Sequence, residues 1–258
     1  MKSSVLKSAV CAAAMMMAAA PAALAEDEAS GPFSFTGTVT LVSDYVFRGI
    51  SQTQGDPAIQ GSFDVGHESG LYAGVWASNV DFDDATDTNL EVDFYAGFAN
   101  ELESFSYDVA VLYYTYPDTS GADYDYVEIK LGGAFAVGTA TISGAFYYSP
   151  EFFAETGDAE YLTAGVSLPI TDWLTADANI GYQWIDDNAT FGSDDYLDWN
   201  IGLTASVEGF DLGVRYTDND AETVLGADLP NDIADGRVIF SISRALYANA
   251  SSNGMARR

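Results

Sequence analysis

The chain has 258 residues, of which 39 are Asp or Glu and nine are Lys or Arg, giving a formal net charge of −30 at pH 7. A surface this acidic excludes nucleic acid as a partner, because two polyanions repel each other. An aromatic content of 14% and a hydrophobic content of 48% indicate a folded chain rather than a disordered acidic one.

Residues 1–25 have the pattern of a secretory signal peptide. Lys2 and Lys7 precede a small-residue apolar stretch that ends in Ala-Leu-Ala, and acidic residues begin directly afterwards. We predict cleavage after Ala25 and export of the remaining chain. The single cysteine, Cys11, lies within this leader, so the exported chain is expected to fold without disulfides.

After the leader, apolar and polar residues alternate with a period of two, which is typical of strands with one apolar and one polar face. In "NLEVDFYAGF", for example, Leu90 and Phe94 alternate with Glu91 and Asp93. No stretch reaches the ~18 consecutive apolar residues of a membrane-spanning helix. Twelve strands are predicted, near residues 33–48, 58–67, 71–81, 89–98, 104–116, 124–135, 139–149, 160–168, 173–185, 196–207, 210–217 and 237–246.

The connections between these strands are alternately short, as in "ESG" and "VG", and long and acidic, as in "GISQTQGDP" and "DFDDATDT". This alternation predicts an all-β, antiparallel up-and-down transmembrane β-barrel of about 12 strands. We assign the barrel to residues 26–246 and a C-terminal tail to residues 247–258. In an outer membrane the short turns would face the periplasm and the long loops the exterior.

Alternation does not say which face points inward, and two interpretations follow. A soluble ligand-binding barrel buries its apolar face, whereas a membrane barrel turns that face to lipid. Aromatic residues near strand ends favour the membrane barrel, since they would form its interfacial girdles. The residues assigned to the girdles are Tyr45, Phe47, Tyr72, Phe82, Tyr113, Tyr116, Phe146, Tyr148, Trp173 and Trp184.

In the membrane barrel the polar face lines the lumen. The predicted pore-lining residues are Asp44, Arg48, Asp64, Glu91, Asp93, Asp108, Glu128, Lys130, Asp177, Asp198, Asp211 and Arg215. We expect Arg48 to find its partner on a neighbouring strand, with Asp64 or a carboxylate across the bore as candidates. Two arrangements stay open: a water-filled pore with a negative field, and a plug in which Arg48, Lys130 and Arg215 are each held by carboxylates.

An enzyme is not expected. The only histidine, His67, falls on the lipid-facing side of its strand, where it reads as an interfacial side chain rather than a general base. No cofactor or metal site is predicted. Residues 81–91 are rich in carboxylates but lack the spacing and the central glycine of a helix-loop-helix calcium site, so they read as a solvated loop.

The stretch "SDYVFRGISQTQGDPAIQG" resembles the signature of the TorF family, porin-like proteobacterial outer-membrane proteins with a Gcw-type domain. The similarity continues through "HESGLYAGVWASNVDF", "FSYDVAVLYYTYP", "YYSPEFF", "GYQWIDDNATFGSDDYLDWNIG" and "RVIFSISRAL". This resemblance implies an outer-membrane barrel that acts as a channel. Members of the family usually end on an aromatic residue that closes the last strand, where this chain has Leu246 and then a tail.

The sequence therefore predicts a porin-like channel in the outer membrane of a Gram-negative bacterium, for passive diffusion of small solutes, with a preference for cations as a hypothesis. The alternative is a closed barrel that acts as a surface adhesin or a structural protein. The expected partners are outer-membrane lipid and lipopolysaccharide, the outer-membrane assembly machinery and small solutes. Whether divalent cations bridge the acidic loops to lipopolysaccharide phosphates is left open by the sequence.

Overall fold

The computed structural model describes residues 31–83, 86–221 and 233–247. Twelve antiparallel strands form one closed barrel, as the sequence predicts, and two short strands, β2 (Val46–Phe47) and β3 (Ile50–Ser51), form a separate hairpin. The barrel strands are β1 (Phe33–Val42), β4 (Ala58–His67), β5 (Leu71–Asn79), β6 (Leu90–Leu102), β7 (Phe105–Thr115), β8 (Tyr126–Val137), β9 (Ala140–Ser149), β10 (Ala159–Pro169), β11 (Leu174–Ile185), β12 (Tyr196–Val207), β13 (Phe210–Asn219) and β14 (Arg237–Tyr247). The predicted signal peptide and residues 248–258 of the predicted tail lie outside the described residues.

Each barrel strand pairs with its neighbours in the chain, and β1 pairs with β14 to close the ring. The closing register runs from Thr36 opposite Tyr247 to Val42 opposite Ser241, so β14 extends one residue beyond its predicted end. Closure leaves every strand with two neighbours. The backbone polar groups are thereby satisfied within the sheet, which a barrel in lipid requires.

The two ends of the barrel differ in loop length, as predicted. At one end the strands are joined by tight turns, at residues 68–70, 103–104, 138–139, 170–173 and 208–209. At the opposite end all the connections are longer. We call these the short-turn end and the long-loop end.

The apolar face of the sheet points outward. Phe94 and Ile180 are 52% and 50% exposed, while Asp93 and Asp198, on the opposite face, are only 4% exposed. A soluble barrel would reverse this arrangement. The predicted orientation of the two faces is therefore the one that the structure shows.

The first strand is shorter than predicted. It ends at Val42, the last residue of β1 that pairs with β4, and residues 43–57 leave the wall and fold into the barrel. We call residues 43–57 the inward segment. The sequence did not indicate this departure, because polar and apolar residues largely alternate through Arg48 as they do in the strand.

The predicted aromatic girdles are correct for only part of the set. Four residues of the set are exposed on the outer face: Tyr113, Phe146, Trp173 and Trp184. The strand register places Tyr148 on the same face as Phe146. The others, Tyr45, Phe47, Tyr72, Phe82 and Tyr116, point inward. They contact interior groups instead of lipid: Tyr45, Phe47, Phe82 and Tyr116 pack on other inward rings, and the Tyr72 hydroxyl donates to Asp108.

Within the described part of the long loops there are two short helical turns. One is a 3-10 turn at Phe153–Glu155, and the other is α1 (Asn188–Phe191), which Asp187 caps. The Thr190 hydroxyl and backbone N–H both donate to the Asp187 carboxylate, and these hydrogen bonds lower its pKa. The capped turn directs Phe191 onto Phe152, at a ring-centroid distance of 6.1 Å.

Candidate functional site in the barrel interior

The inward segment reverses direction at Arg48 and Gly49, between β2 and β3. Both residues have positive φ, 47° and 84°, as a tight two-residue hairpin turn requires. A Cβ at Gly49 would lie 2.8 Å from Asn219 Cβ, so glycine is needed here for space as well as for conformation. The turn therefore brings Arg48 to the tip of the hairpin, inside the barrel.

Polar contacts with the last two barrel strands and their loop hold the inward segment. The Asn219 amide donates to the carbonyl oxygens of Gly49 and Ala234, both at 2.7 Å. Asp44 accepts hydrogen bonds from Ser51 at 2.6 Å and from Arg237 Nη1 at 2.7 Å. At its base the segment also bonds to β14, where the Ser43 backbone N–H donates to the Phe240 carbonyl oxygen at 2.9 Å. Beyond Ser43, the contacts described here use side chains and loop backbone.

Arg48 is held by two acceptors on opposite sides of its guanidinium. Nη2 donates to Glu128 Oε2 at 2.8 Å, and Nη1 donates to Gln183 Oε1 at 2.7 Å. The guanidinium carbon also lies over the rings of Tyr161 and Tyr147, 4.2 and 5.2 Å from their centroids. A buried charge is stabilised when it is paired and hydrogen-bonded in this way.

These contacts correct the prediction for Arg48 and its neighbours. Asp44 and Arg48 were assigned to a wall strand, but both belong to the inward segment. The expected carboxylate partner across the bore is Glu128, and the other candidate, Asp64, bonds instead to the Tyr95 hydroxyl and to Ser62. The alternation of side chains along a strand predicts that a residue faces the interior, but it does not predict which residue it will bond to.

Two further bases of the predicted set are also paired. Lys130 Nζ lies 2.7 Å from Asp108 Oδ2, with Tyr72 donating to the other Asp108 oxygen at 2.7 Å. Arg215 Nη2 lies 2.6 Å from Asp177 Oδ2, and its Nη1 donates to Asn200. All three predicted bases therefore have carboxylate partners, which is the arrangement described above as a plug.

The remaining predicted carboxylates lie inside the barrel without these bases. Asp198 accepts from Tyr161 at 2.9 Å, and Asp211 accepts from Ser206. Glu91 accepts from the Tyr116 hydroxyl at 3.4 Å. One oxygen each of Glu91 and Asp93 is buried without a hydrogen-bond partner. The described interior thus contains more carboxyl groups than basic side chains.

The interior is closed at one end and more open at the other. Glu128 and Gln183, which bind Arg48 of the inward segment, are at most 1% exposed, and Lys130 is fully buried. Nearer the short-turn end, the side chains of Arg215 and Asp177 are 25% and 18% exposed. Solvent therefore reaches part of the interior near the short-turn end, whereas the groups that bind the inward segment are enclosed.

Aromatic side chains pack together among the loops at the long-loop end. Phe82 packs against Tyr116 and Phe153, with ring centroids 5.6 and 5.5 Å apart, and Tyr124 stacks on Phe153 at 4.5 Å. These residues come from three different long loops. Their contacts join the three loops to one another.

Several interior residues were missing from the sequence prediction. Arg237 and Gln183 had a usable signal, since both occupy polar-face positions of predicted strands. Tyr147 and Tyr161 had the same signal, since they alternate with the outward-facing Phe146 and Leu162, but the residue type alone gives no reason to expect a tyrosine in the interior. Asn219 was missed because β13 extends beyond its predicted end.

The structure gives no catalytic arrangement around His67. Its Nδ1 lies 2.8 Å from Ser69 Oγ, and its ring packs edge-on against Phe33 at the short-turn end. Within the described ranges, no cluster of three or more His, Cys, Asp or Glu side chains is arranged to hold a metal ion. The same ranges contain no helix that is long and apolar enough to cross a membrane.

A closed antiparallel barrel with an apolar outer face and a charged interior is the architecture of bacterial outer-membrane porins. Two solved porin structures are similar to this chain in fold. The NanC porin aligns with a TM-score of 0.54 and 10% identity over 84% of this chain and 99% of that one. The KdgM porin aligns with a TM-score of 0.51 and 8% identity over 83% and 98%, respectively.

The chain itself belongs to the Gcw_chp family, described as bacterial proteins of unknown function, whose model matches residues 26–246. No curated protein sequence matches it significantly. The Gcw part of the predicted resemblance is confirmed, and the assignment to the TorF family stays a prediction. At these identities the two porins support the fold of this chain and nothing about its solute.

Proposed function

We propose that this protein is a porin-like channel of the outer membrane for small solutes, and that the inward segment closes it in this conformation. The observation that carries the proposal is the charged interior, which solvent reaches at Arg215 and Asp177 and from which solvent is excluded at Glu128 and Gln183, beside the inward segment. A barrel that served only as an anchor would have no need for charges buried at such desolvation cost.

The way the inward segment is attached supports a movable closure. Beyond Ser43, it is bonded through side chains and through the backbone of two loops, at Ile233 and Asp81, whereas the wall is bonded through continuous strand ladders. Releasing the segment would break these contacts together with those of Asp44, Arg48 and Asn219, and would leave the barrel closed on itself. A segment that is not part of the strand ladder can open as a local unit while the wall stays folded.

We also propose a preference for cations. The bases Arg48, Lys130, Arg215 and Arg237 each pair with one carboxylate, and the interior contains further carboxylates beyond those four. An excess of acids along a narrow aqueous path attracts cations and repels anions. The reversal potential in a salt gradient measures this preference, and a value of anionic sign contradicts it.

The decisive experiment replaces residues 43–57 by Asn-Gly. Val42 and Ala58 are directly opposite in the register of β1 and β4, so a two-residue hairpin turn can join them. In planar lipid bilayers we expect the shortened barrel to conduct continuously and the native barrel to conduct rarely. The control deletes residues 120–123, which are exposed in the β7–β8 loop, and should behave as the native protein does.

The second candidate function is a closed barrel that serves as a surface adhesin or structural protein. The observation in its favour is the complete pairing of Arg48, Lys130 and Arg215. If the barrel without the inward segment is folded, as shown by heat-modifiable migration on a gel, and still gives no conductance, this second function replaces the channel.

The remaining partners belong to the same proposal. The chain would be exported by a leader cleaved after Ala25 and inserted by the outer-membrane assembly machinery. Its acidic long loops would face the exterior, where divalent cations would bridge them to lipopolysaccharide phosphates. Recovery in the outer-membrane fraction, and release of bound lipopolysaccharide by a chelator, are the measurements that check these points.

A further inference from the structure

The groups that hold Arg48 come from four adjacent strands of the wall. Glu128 lies on β8, Tyr147 on β9, Tyr161 on β10 and Gln183 on β11. Tyr147 is directly opposite Tyr161, and Tyr161 is directly opposite Gln183, so these three form one inward row. We call these four residues the guanidinium pocket. None of them belongs to the inward segment, so the pocket does not depend on that segment for its position.

Contacts within the wall hold the pocket in shape. The Gln183 amide nitrogen donates to the carbonyl oxygens of Glu160 and Trp184, both at 3.0 Å, which leaves its Oε1 directed at the guanidinium. The Tyr114 hydroxyl donates to Glu128 Oε2 at 3.0 Å. A site whose acceptors are fixed by neighbours does not have to order them when a ligand binds.

The chemistry of the pocket selects a flat cation. A carboxylate and an amide oxygen accept from two different nitrogens, and the faces of two tyrosine rings lie within about 5 Å of the charged carbon. A guanidinium satisfies all of these contacts at once, because its charge is delocalised and its N–H groups lie in one plane. An anion would face an uncompensated carboxylate.

We propose that the guanidinium pocket is a binding site for solutes that carry a guanidinium group, and that Arg48 is its built-in competitor. The role of the site in transport rests on the proposed channel, but binding itself does not. When the inward segment withdraws, a solute guanidinium takes the place of Arg48. The solute that the pocket recognises thereby also keeps the closure open.

Because Arg48 competes with a free guanidinium compound for the pocket, the native protein should bind that compound more weakly than a variant without the Arg48 side chain. Arg48 is tethered beside the pocket, so its effective concentration is high, on the order of millimolar for a short tether. A free guanidinium compound must overcome this concentration in the native protein. Removing the Arg48 side chain should therefore strengthen binding, although no pocket residue has changed.

The test measures binding of methylguanidinium chloride to the full-length protein in detergent micelles, by saturation-transfer NMR of the methyl group. We expect Arg48→Ala to bind at least about tenfold more tightly than the native protein. Adding Glu128→Gln to Arg48→Ala should remove most of that gain, because the charged acceptor is lost. Urea, which is similar in shape and uncharged, should not bind to either variant.

Arg215→Ala is the matched control. It also removes an interior guanidinium bonded to a carboxylate and an amide, but from the more exposed site at Asp177 and Asn200. This variant should bind methylguanidinium no better than the native protein does. Equal affinity of Arg48→Ala and Arg215→Ala would overturn the proposal, as would binding to Arg48→Ala that persists after Glu128→Gln.

If Arg48→Ala does not fold, the barrel in which Asn-Gly replaces residues 43–57 exposes the same pocket and replaces it in the titration. The outcomes also separate the two proposals. Binding without conductance contradicts the channel and keeps the site, whereas conductance without binding contradicts the site and keeps the channel.

Discussion

The basic side chains in the barrel interior each form an ion pair with a carboxylate. The loss of stability when one member of a pair is removed depends on how buried the pair is. Lys130 and Asp108 form the most enclosed pair, with side-chain exposures of 1% and 4%. Arg215 and Asp177 form a more hydrated one. Loss of one partner from an enclosed pair leaves a charge without water or a counter-ion.

We therefore expect Lys130→Met to lower the free energy of unfolding by about 3–5 kcal/mol, because it leaves Asp108 charged and buried. The double variant Lys130→Met/Asp108→Asn should recover much of the loss. Urea-induced unfolding in lipid vesicles, followed by the shift on a gel, gives both values. Equal loss in the single and double variants would contradict this explanation.

Asp93 is a buried carboxylate for which we expect substitution to stabilise the protein rather than destabilise it. Its Oδ1 is buried without a hydrogen-bond partner, and the side chain faces the interior close to Glu91. Asp93→Asn removes the cost of burying a second carboxylate, so we expect a gain of about 1–3 kcal/mol in the free energy of unfolding. Asp211→Asn, a less buried position bonded to Ser206, should stay within about 0.5 kcal/mol of the native value.

Prediction from sequence worked well for the facing of these side chains. Glu128, Lys130 and Asp108 were assigned to the interior because side chains alternate strictly along a strand. Their pairing was not predictable, since an ion pair joins residues far apart in the chain. For Arg48 the sequence predicted the interior position. It did not predict the backbone conformation of Arg48 or its contacts with the wall.

At the level of elements, the inward segment differs from every strand around it. It is held at a tight turn where only Gly49 fits, and its tip is the buried Arg48. Trypsin cleaves after arginine only where the chain can enter the protease. The bond after Arg48 is therefore a direct reporter of whether the segment is folded into the barrel.

We expect Gly49→Ala to release the inward segment, because its Cβ would collide with Asn219. Limited trypsin digestion followed by mass spectrometry should then detect cleavage after Arg48, which the native protein resists. Gly55→Ala is the matched control: its φ of 82° carries the same conformational cost, but its Cβ would meet only Arg237 Nη1 at 3.9 Å. Cleavage to the same extent in both variants would argue against the steric explanation.

At the level of the whole molecule, the defining property is an apolar outer wall around a charged axis. The tryptophans divide accordingly. Trp184 and Trp199 are each 38% exposed on the outer face, whereas Trp76 is 6% exposed inside, with its ring 5.4 Å from that of Tyr45. Each tryptophan can therefore report on the solvent that its side of the wall contacts.

We expect lipids with brominated chains to quench a variant that keeps only Trp199 and to leave a variant that keeps only Trp76 almost unaffected. The quencher acts over short range, so it distinguishes residues in contact with acyl chains from residues inside the bore. Fluorescence in reconstituted vesicles gives both values. Strong quenching of Trp76 would mean that the wall is not oriented as described.

The sequence by itself determined the strand count, the alternation of short and long connections, and the side of the sheet on which the charges lie. These features are local, because they follow from a period of two along each strand and from the composition of the turns. The tertiary structure alone decided that residues 43–57 leave the wall, that Glu128 and Gln183 receive Arg48, and that part of the aromatic set fills the bore. Each of these depends on closure of the barrel, which brings distant strands around one axis and determines what space remains inside.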